Sequence, residues 1–160
     1  MRVWYVQSLN RNSLVLDNGT HIGNKNPKTT IHGTTPLHHA AEKGHMDICK
    51  LIMKNLENKN PANNSGSTPL HKAARNGHIK IFEHIMKNIE DKNPRDNTGW
   101  TPLHHAAEGG HMNICKLILE NIEDKMPRTH NGTTPLALAA NHDHFELVQF
   151  LVNSHLKTNE

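Results

Sequence analysis

Two histidine–cysteine pairs, His45 with Cys49 and His111 with Cys115, stand four residues apart. That spacing puts two side chains on one face of a helix. A thiol beside an imidazole is the beginning of a nucleophilic pair or of a zinc site. The chain carries fifteen histidines in all, and His38-His39 and His104-His105 are adjacent. Zinc needs three or four converging ligands with outer groups to orient them, and a nucleophilic triad needs an acid behind its base. Neither set is completed beside these pairs. Phosphate-loop, nucleophile-elbow and paired-histidine zinc-protease spacings are also absent. No catalytic, cofactor-binding or metal-ligating residue is therefore assigned, and a histidine-based metal protein stays only as a remote alternative, tested by a zinc assay.

The elements that would position these residues come from a repeat. Thr35-Pro36-Leu37-His38 returns as Thr68-Pro69-Leu70-His71, Thr101-Pro102-Leu103-His104 and Thr134-Pro135-Leu136-Ala137, at a period of 33 residues. Gly33, Gly66, Gly99 and Gly132 keep the same step, as do the Ala-Ala pairs from Ala40-Ala41 onward and His45, His78, His111 and His144. Aligned this way, Cys49 and Cys115 share a position with Phe82 and Val148, so the cysteines fill an apolar slot. Composition agrees with an economical, repeated core. Of 160 residues, 34% are hydrophobic and 4% aromatic, too little for one large globular interior. A net charge of +3 argues against a polybasic nucleic-acid tail, and no apolar run reaches the ~20 residues of a membrane span. Two cysteines make no disulfide framework.

Within one unit, Thr35 is placed to cap a helix that begins with Pro36 at its first position. The helix runs through Leu37, Ala40 and Ala41 and stops at Gly44, a left-handed terminus. A second helix carries Ile48, Cys49, Leu51 and Ile52 at helical spacing, and Asn55 is expected to end it in the left-handed conformation. The stretch from Asn58 to Gly66 is turn-rich and reads as a short hairpin. Neither helix buries its stripe alone, so neighbouring units must stack.

The T-P-L-H-x-A-A block, the Gly-His pair and the 33-residue period together resemble the ankyrin repeat over about residues 32–160. The resemblance implies an all-α repeat solenoid of stacked helix–turn–helix units joined by short β-hairpin loops. Repeats are placed at about 32–64, 65–97, 98–130 and 131–160. Residues 24–160 form the repeat domain, and residues 1–23 form an N-terminal extension. Val3–Val6 and Leu14–Leu16 of that extension either lie over the first unit as an improvised cap, or the chain is a fragment of a longer array. The last unit, with Ala137 and Asp143 in place of the histidine and the glycine, reads as a divergent end repeat.

Carried over position by position, the resemblance makes Thr35, His38, Gly44, Thr68, His71, Gly77, Thr101, His104, Gly110 and Thr134 structural. It implies protein–protein recognition, with no catalysis, through a groove of first helices and hairpin tips. The candidate contact residues are His39, Lys72, Arg75, Arg95, Asp96, Trp100, His105, Glu108, Arg128 and Leu138. Trp100 stands where other units have Thr34, Ser67 and Thr133, and with Arg75 and Arg95 it is the expected anchor. The partner is expected to be a protein, with no nucleic acid and no membrane insertion, and the chain a monomer in the cytoplasm or nucleus. An adaptor, a stand-alone inhibitor-like module and a piece of a larger scaffold are the open alternatives. Some members of the family are asparagine-hydroxylated at the hairpin position held here by Asn60 and Asn93. The lysine column Lys59, Lys92 and Lys125 lies two residues from Glu57, Glu90 and Glu123, which predicts a salt-bridged, solvated face. His84 occupies a column otherwise filled by Leu51, Leu117 and Phe150.

Overall fold

The computed structural model describes residues 3–6, 14–17, 26–29 and 31–156. Eight helices follow one another in pairs. They are α1 (Pro36–Lys43), α2 (Met46–Met53), α3 (Pro69–Arg75), α4 (Ile79–Met86), α5 (Pro102–Glu108), α6 (Met112–Leu119), α7 (Pro135–Asn141) and α8 (Phe145–Leu156). Two short strands precede them, β1 (Val3–Val6) and β2 (Leu14–Asp17), paired antiparallel with Trp4 opposite Leu16 and Val6 opposite Leu14. The architecture is an all-α repeat stack. Successive first helices pack on each other, α1 on α3 on α5 on α7, and each second helix packs on the first helix of its own unit.

The first helices all begin alike. The threonine before each proline is extended, which stops the helix from growing backwards, and the proline supplies a helical φ without needing a bond for its missing N–H. In α7, Thr134 Oγ1 accepts the Ala137 amide directly. In α1, α3 and α5 a histidine three residues on is drawn into this cap instead, as described below. A second tether was not read from the sequence. The carboxamide oxygens of Asn26, Asn60 and Asn93 accept the amides of Leu37, Leu70 and Leu103 at 3.0–3.1 Å, fixing the loop beneath each helix start.

The core is built of identical layers. Leu37, Leu70 and Leu103 and the alanine pairs behind them are buried, as are Cys49, Phe82 and Cys115 in their shared slot. Burial pushes both thiols up to about 12, so neither is a thiolate near neutral pH. The loops between helix pairs are tight turns closed by one cross-bond, Asn63 N–H to Ser67 O, Asp96 N–H to Trp100 O and Thr129 N–H to Thr133 O. They contain no strand. In the first loop the equivalent bond joins Thr29 to Thr34, one residue wider, as its longer spacing to Thr35 requires.

The ends of the second helices correct two expectations. Asn55 is not left-handed. Among the described residues the only non-glycine at positive φ is Asp143. Instead, Asn88 and Asn121 donate their side-chain amides to the carbonyls of His84 and Leu117, four residues back. A side chain that reaches an orphan carbonyl removes the need for a left-handed backbone. The lysine column does the same on a larger scale. Lys92 Nζ donates to Met86 O at 2.7 Å and to Ile89 O at 2.5 Å. Lys59 donates to Met53 O, and Lys125 to Leu119 O and Ile122 O. Among the described residues none of these lysines forms an ion pair with Glu57, Glu90 or Glu123. A cation placed at the negative end of a helix gains from the dipole and from charge-assisted bonds that a flexible surface pair lacks. Lys92→Met should cost about 1–3 kcal/mol of stability, measured as a lower urea midpoint at unchanged slope. Lys28→Met, at an exposed position outside any helix, serves as the neutral reference.

Candidate functional site

Six of the fifteen histidines hold the units together. Thr35 N–H and Thr35 Oγ1 both reach His38 Nδ1, at 3.2 and 2.8 Å, while His38 Nε2 reaches Ser67 O in the next unit at 3.0 Å. A backbone amide can only donate and a carbonyl can only accept. The imidazole is therefore neutral, with its proton on Nε2 and its lone pair on Nδ1. His71 and His104 repeat the arrangement, with Trp100 O and Thr133 O as acceptors. A second column works in the opposite direction. His78, His111 and His144 donate from Nε2 back to Glu42 O, Arg75 O and Glu108 O of the preceding unit, at 2.9–3.1 Å. Each interface is thus bonded by one imidazole from either side, with an amide-to-carbonyl bond between the loops as a third link.

The first column is fully buried. Burial holds His38 and His71 down to about 4 and lowers His104 below its ordinary value, even though the carbonyl bonds pull the other way. Among the described residues no group of three or more His, Cys, Asp or Glu side chains is placed to hold an ion.

Two clusters emerge from the solvent side of the first helices. On α1 and α3, Glu42 Oε1 lies 3.5 Å from Lys72 Nζ and Glu42 Oε2 lies 3.8 Å from His39 Nδ1. At the start of α5, Trp100 of the preceding loop packs its ring against His105 at 4.9 Å between centroids and against His104 at 5.9 Å, and His105 meets His71 edge-on at 5.8 Å. His105 Nδ1 is 3.9 Å from Glu108 Oε2 and, like His39 Nδ1, has no hydrogen-bond partner. Burial, then the neighbouring His71 and Arg75, lower His105 to about 3. His39 is lowered by burial as well. Both groups are half-buried, and Arg75 beside the second is exposed.

The remaining candidates make bonds within the loops. Arg95 donates to Gly99 O and Arg128 O, and Arg128 donates to Gly132 O, so both guanidinium groups brace the loops. Asp96 Oδ1 takes the amides of Thr98 and Trp100 and the Thr98 hydroxyl. Burial opposes ionisation of Asp96, but these bonds outweigh it and leave the carboxyl below its usual range. Asn63 does the same duty one unit earlier. Leu138 is only 8% exposed. Thus Trp100 and His105 pack together, Arg75 lies near enough to His105 to lower it, and Arg95 Nη1 bonds two loop carbonyls. Glu42, absent from the anchor set, is the residue that links two units, and its place one helical turn after His39 was the available signal. Asn60 and Asn93 sit under the helix starts with their carboxamide oxygens occupied.

A cavity of about 400 Å³ lies among Asp91, Asn93, Arg95, Thr101, Asp124 and Pro127. At this cavity Arg95 Nη1 and the Asn93 carboxamide oxygen bond backbone groups. His84 stands half-buried in its apolar column with no side-chain hydrogen bond among the described residues. His84→Leu should raise the melting temperature by about 2–4 °C, and a fall in a thermal scan would show that the ring makes a needed bond.

No curated protein matches this chain. A family model described as ankyrin repeats in three copies matches residues 8–96 and again residues 81–160. The two matches overlap on a continuous array, of which the structure shows four complete helix pairs. Shared scaffold positions, helix pairing and this match agree: the chain belongs to the ankyrin repeat family.

Proposed function

We propose that this chain is a protein-recognition module that binds a partner protein on the solvent side of its first helices. Ankyrin repeats are in general protein–protein interaction modules and typically non-catalytic. The observation that carries the reading is the contrast between columns. Scaffold positions repeat unit after unit, whereas the positions beside them read His39, Lys72 and His105, with a buried Leu138 in the last unit, then Glu42, Arg75, Glu108 and Asn141. Within that variable strip, Trp100, His105 and Arg75 form a surface of aromatic and cationic character, the composition of interface hot spots. The rigid stack presents it with little ordering cost on binding.

The chain acts in this reading as an adaptor or inhibitor-like monomer in the cytoplasm or nucleus, without chemistry of its own. No helix among the described residues is long and apolar enough to cross a membrane, which fits but does not carry the assignment. Comparative affinity purification tests it, using the wild-type chain and an Arg75→Ala/Trp100→Ala variant with matched circular dichroism. Truncating two hot-spot side chains should weaken retention of the partner by at least about tenfold. Equal retention by both proteins overturns the assignment to this surface.

A further inference from the structure

Glu42 of α1 meets Lys72 of α3 across the first interface, Oε1 to Nζ at 3.5 Å. One repeat on, the same two positions hold Arg75 of α3 and His105 of α5, close enough for the guanidinium to lower the imidazole. The first interface is a closed acid–base pair. In the second, a permanent cation stands beside a neutral ring and the acid is missing. Arg75 is exposed, and among the described residues its side chain forms no ion pair and no hydrogen bond. The neighbouring carboxylates are engaged elsewhere. Glu108 Oε2 lies 3.9 Å from His105 Nδ1 and is not within ion-pair distance of Arg75, and Asp96 Oδ1 takes three donors of its own loop.

Resting on the recognition surface proposed above, we infer that the partner completes this open pair: an aspartate or glutamate side chain of the partner protein docks on Arg75 beside His105, in the role that Glu42 plays toward Lys72 one unit earlier. The planar fork of N–H donors on a guanidinium matches a carboxylate edge to edge. An exposed ion pair alone is worth little, because water competes for both charges. Here the His105 ring lies next to the cation and is itself backed by the half-buried Trp100 ring, 4.9 Å away. A seated partner therefore shuts water out from one side of the pair, the setting in which such contacts gain weight. A carboxylate suits the place better than a phosphoryl group, whose larger charge would meet the Glu108 carboxylate held by the same ring.

A random linear peptide library displayed on phage tests this, panned in parallel on the full wild-type chain and on Arg75→Gln. The inter-unit bond from His111 ends on the Arg75 carbonyl, so a change of side chain leaves it in place, and matched circular dichroism checks the fold. Peptides retained by the wild-type chain should be enriched in Asp and Glu, and Arg75→Glu should turn the selection toward Lys and Arg. For one enriched peptide made synthetically, Arg75→Gln should weaken binding by about tenfold or more. Replacing the peptide's acid by the matching amide should do the same, and the two changes together should do little more than either alone. Arg75→Lys, which keeps the charge and loses the fork, should fall between. Enriched peptides that need Trp100 but carry no acid overturn the inference and leave the recognition surface standing. A library that yields only peptides indifferent to both Arg75→Gln and Trp100→Ala, or none, overturns the surface and the inference with it. Tighter binding when phosphoserine replaces the acid overturns the choice of a carboxylate.

Discussion

Lowering the pH from 7 to 5 should cut the unfolding free energy of this chain by roughly 3–4 kcal/mol from His38 and His71 alone. Both imidazoles titrate at about 4 in the folded chain against 6.5 when free. Between those values the unfolded chain binds protons that the folded chain refuses, so stability falls as pH falls. The contribution is fully present above pH 6.5, is lost on the way down to about pH 4, and changes no further below that. The structural reason is that Nδ1 of each ring is an acceptor for two donors of its own helix cap. A proton there turns an attraction into a clash of donors inside a buried interface. His104 and His105 are lowered in the same sense and add to the loss. The depressed carboxyl of Asp96 acts only below its ordinary value of 3.8, outside this window. Urea titrations at pH 7, 6 and 5 measure the effect, and a midpoint that does not move across them would show that the rings are not held neutral.

Gly77→Ala should destabilise the chain by about 2–4 kcal/mol, and Gly132→Ala by only about 1 kcal/mol. Both glycines have a left-handed backbone, at φ +71° and +78°, and an added Cβ carries that strain at either site. The difference lies in what else the methyl group meets. At Gly132 nothing stands within 4 Å, whereas at Gly77 the His111 ring would be 2.6 Å away. His111 cannot swing aside without breaking its bond to Arg75 O, one of the inter-unit links. Gly44 lies under His78 and Gly110 under His144 in the same way. In the last described unit Asp143 takes the left-handed position at φ +59°, and there no histidine of a following described unit stands over it. Paired thermal or urea unfolding of the two variants checks this, and equal losses would leave the backbone strain as the whole effect.

Much of this fold was readable because its determinants are local and repeated. A threonine, a proline and a leucine in sequence start a helix by capping, by a preset φ and by an apolar contact, and all three act within one turn. Four copies at one spacing then identify which variation is tolerated packing, as with Cys49, Phe82 and Cys115. The end of the second helix was misread for the opposite reason. Asn55 looked like a left-handed stop because that is the local habit of asparagine. The side-chain amides of Asn88 and Asn121 and the ammonium groups of the lysine column cap the carbonyls instead. A lysine beside a glutamate looks like a surface pair in a sequence, and only the position of the helix end shows the carbonyls to be nearer.

The candidate site was legible as a strip and not as a set of roles. His38 and His39 are neighbours of the same type, yet the first is buried with its tautomer dictated and the second faces outward beside Glu42. Arg75 and Arg95 both looked like anchors, and one of them is tied to two loop carbonyls. The sequence by itself determined the unit, its helix starts and the columns that must be apolar, since these follow from propensity and periodicity. Only the tertiary structure decided which polar groups are bonded within the scaffold and which are not. Those bonds reach across 29 to 36 residues into the adjoining unit, and whether a donor is free depends on which acceptor the stacked neighbour brings within 3 Å of it.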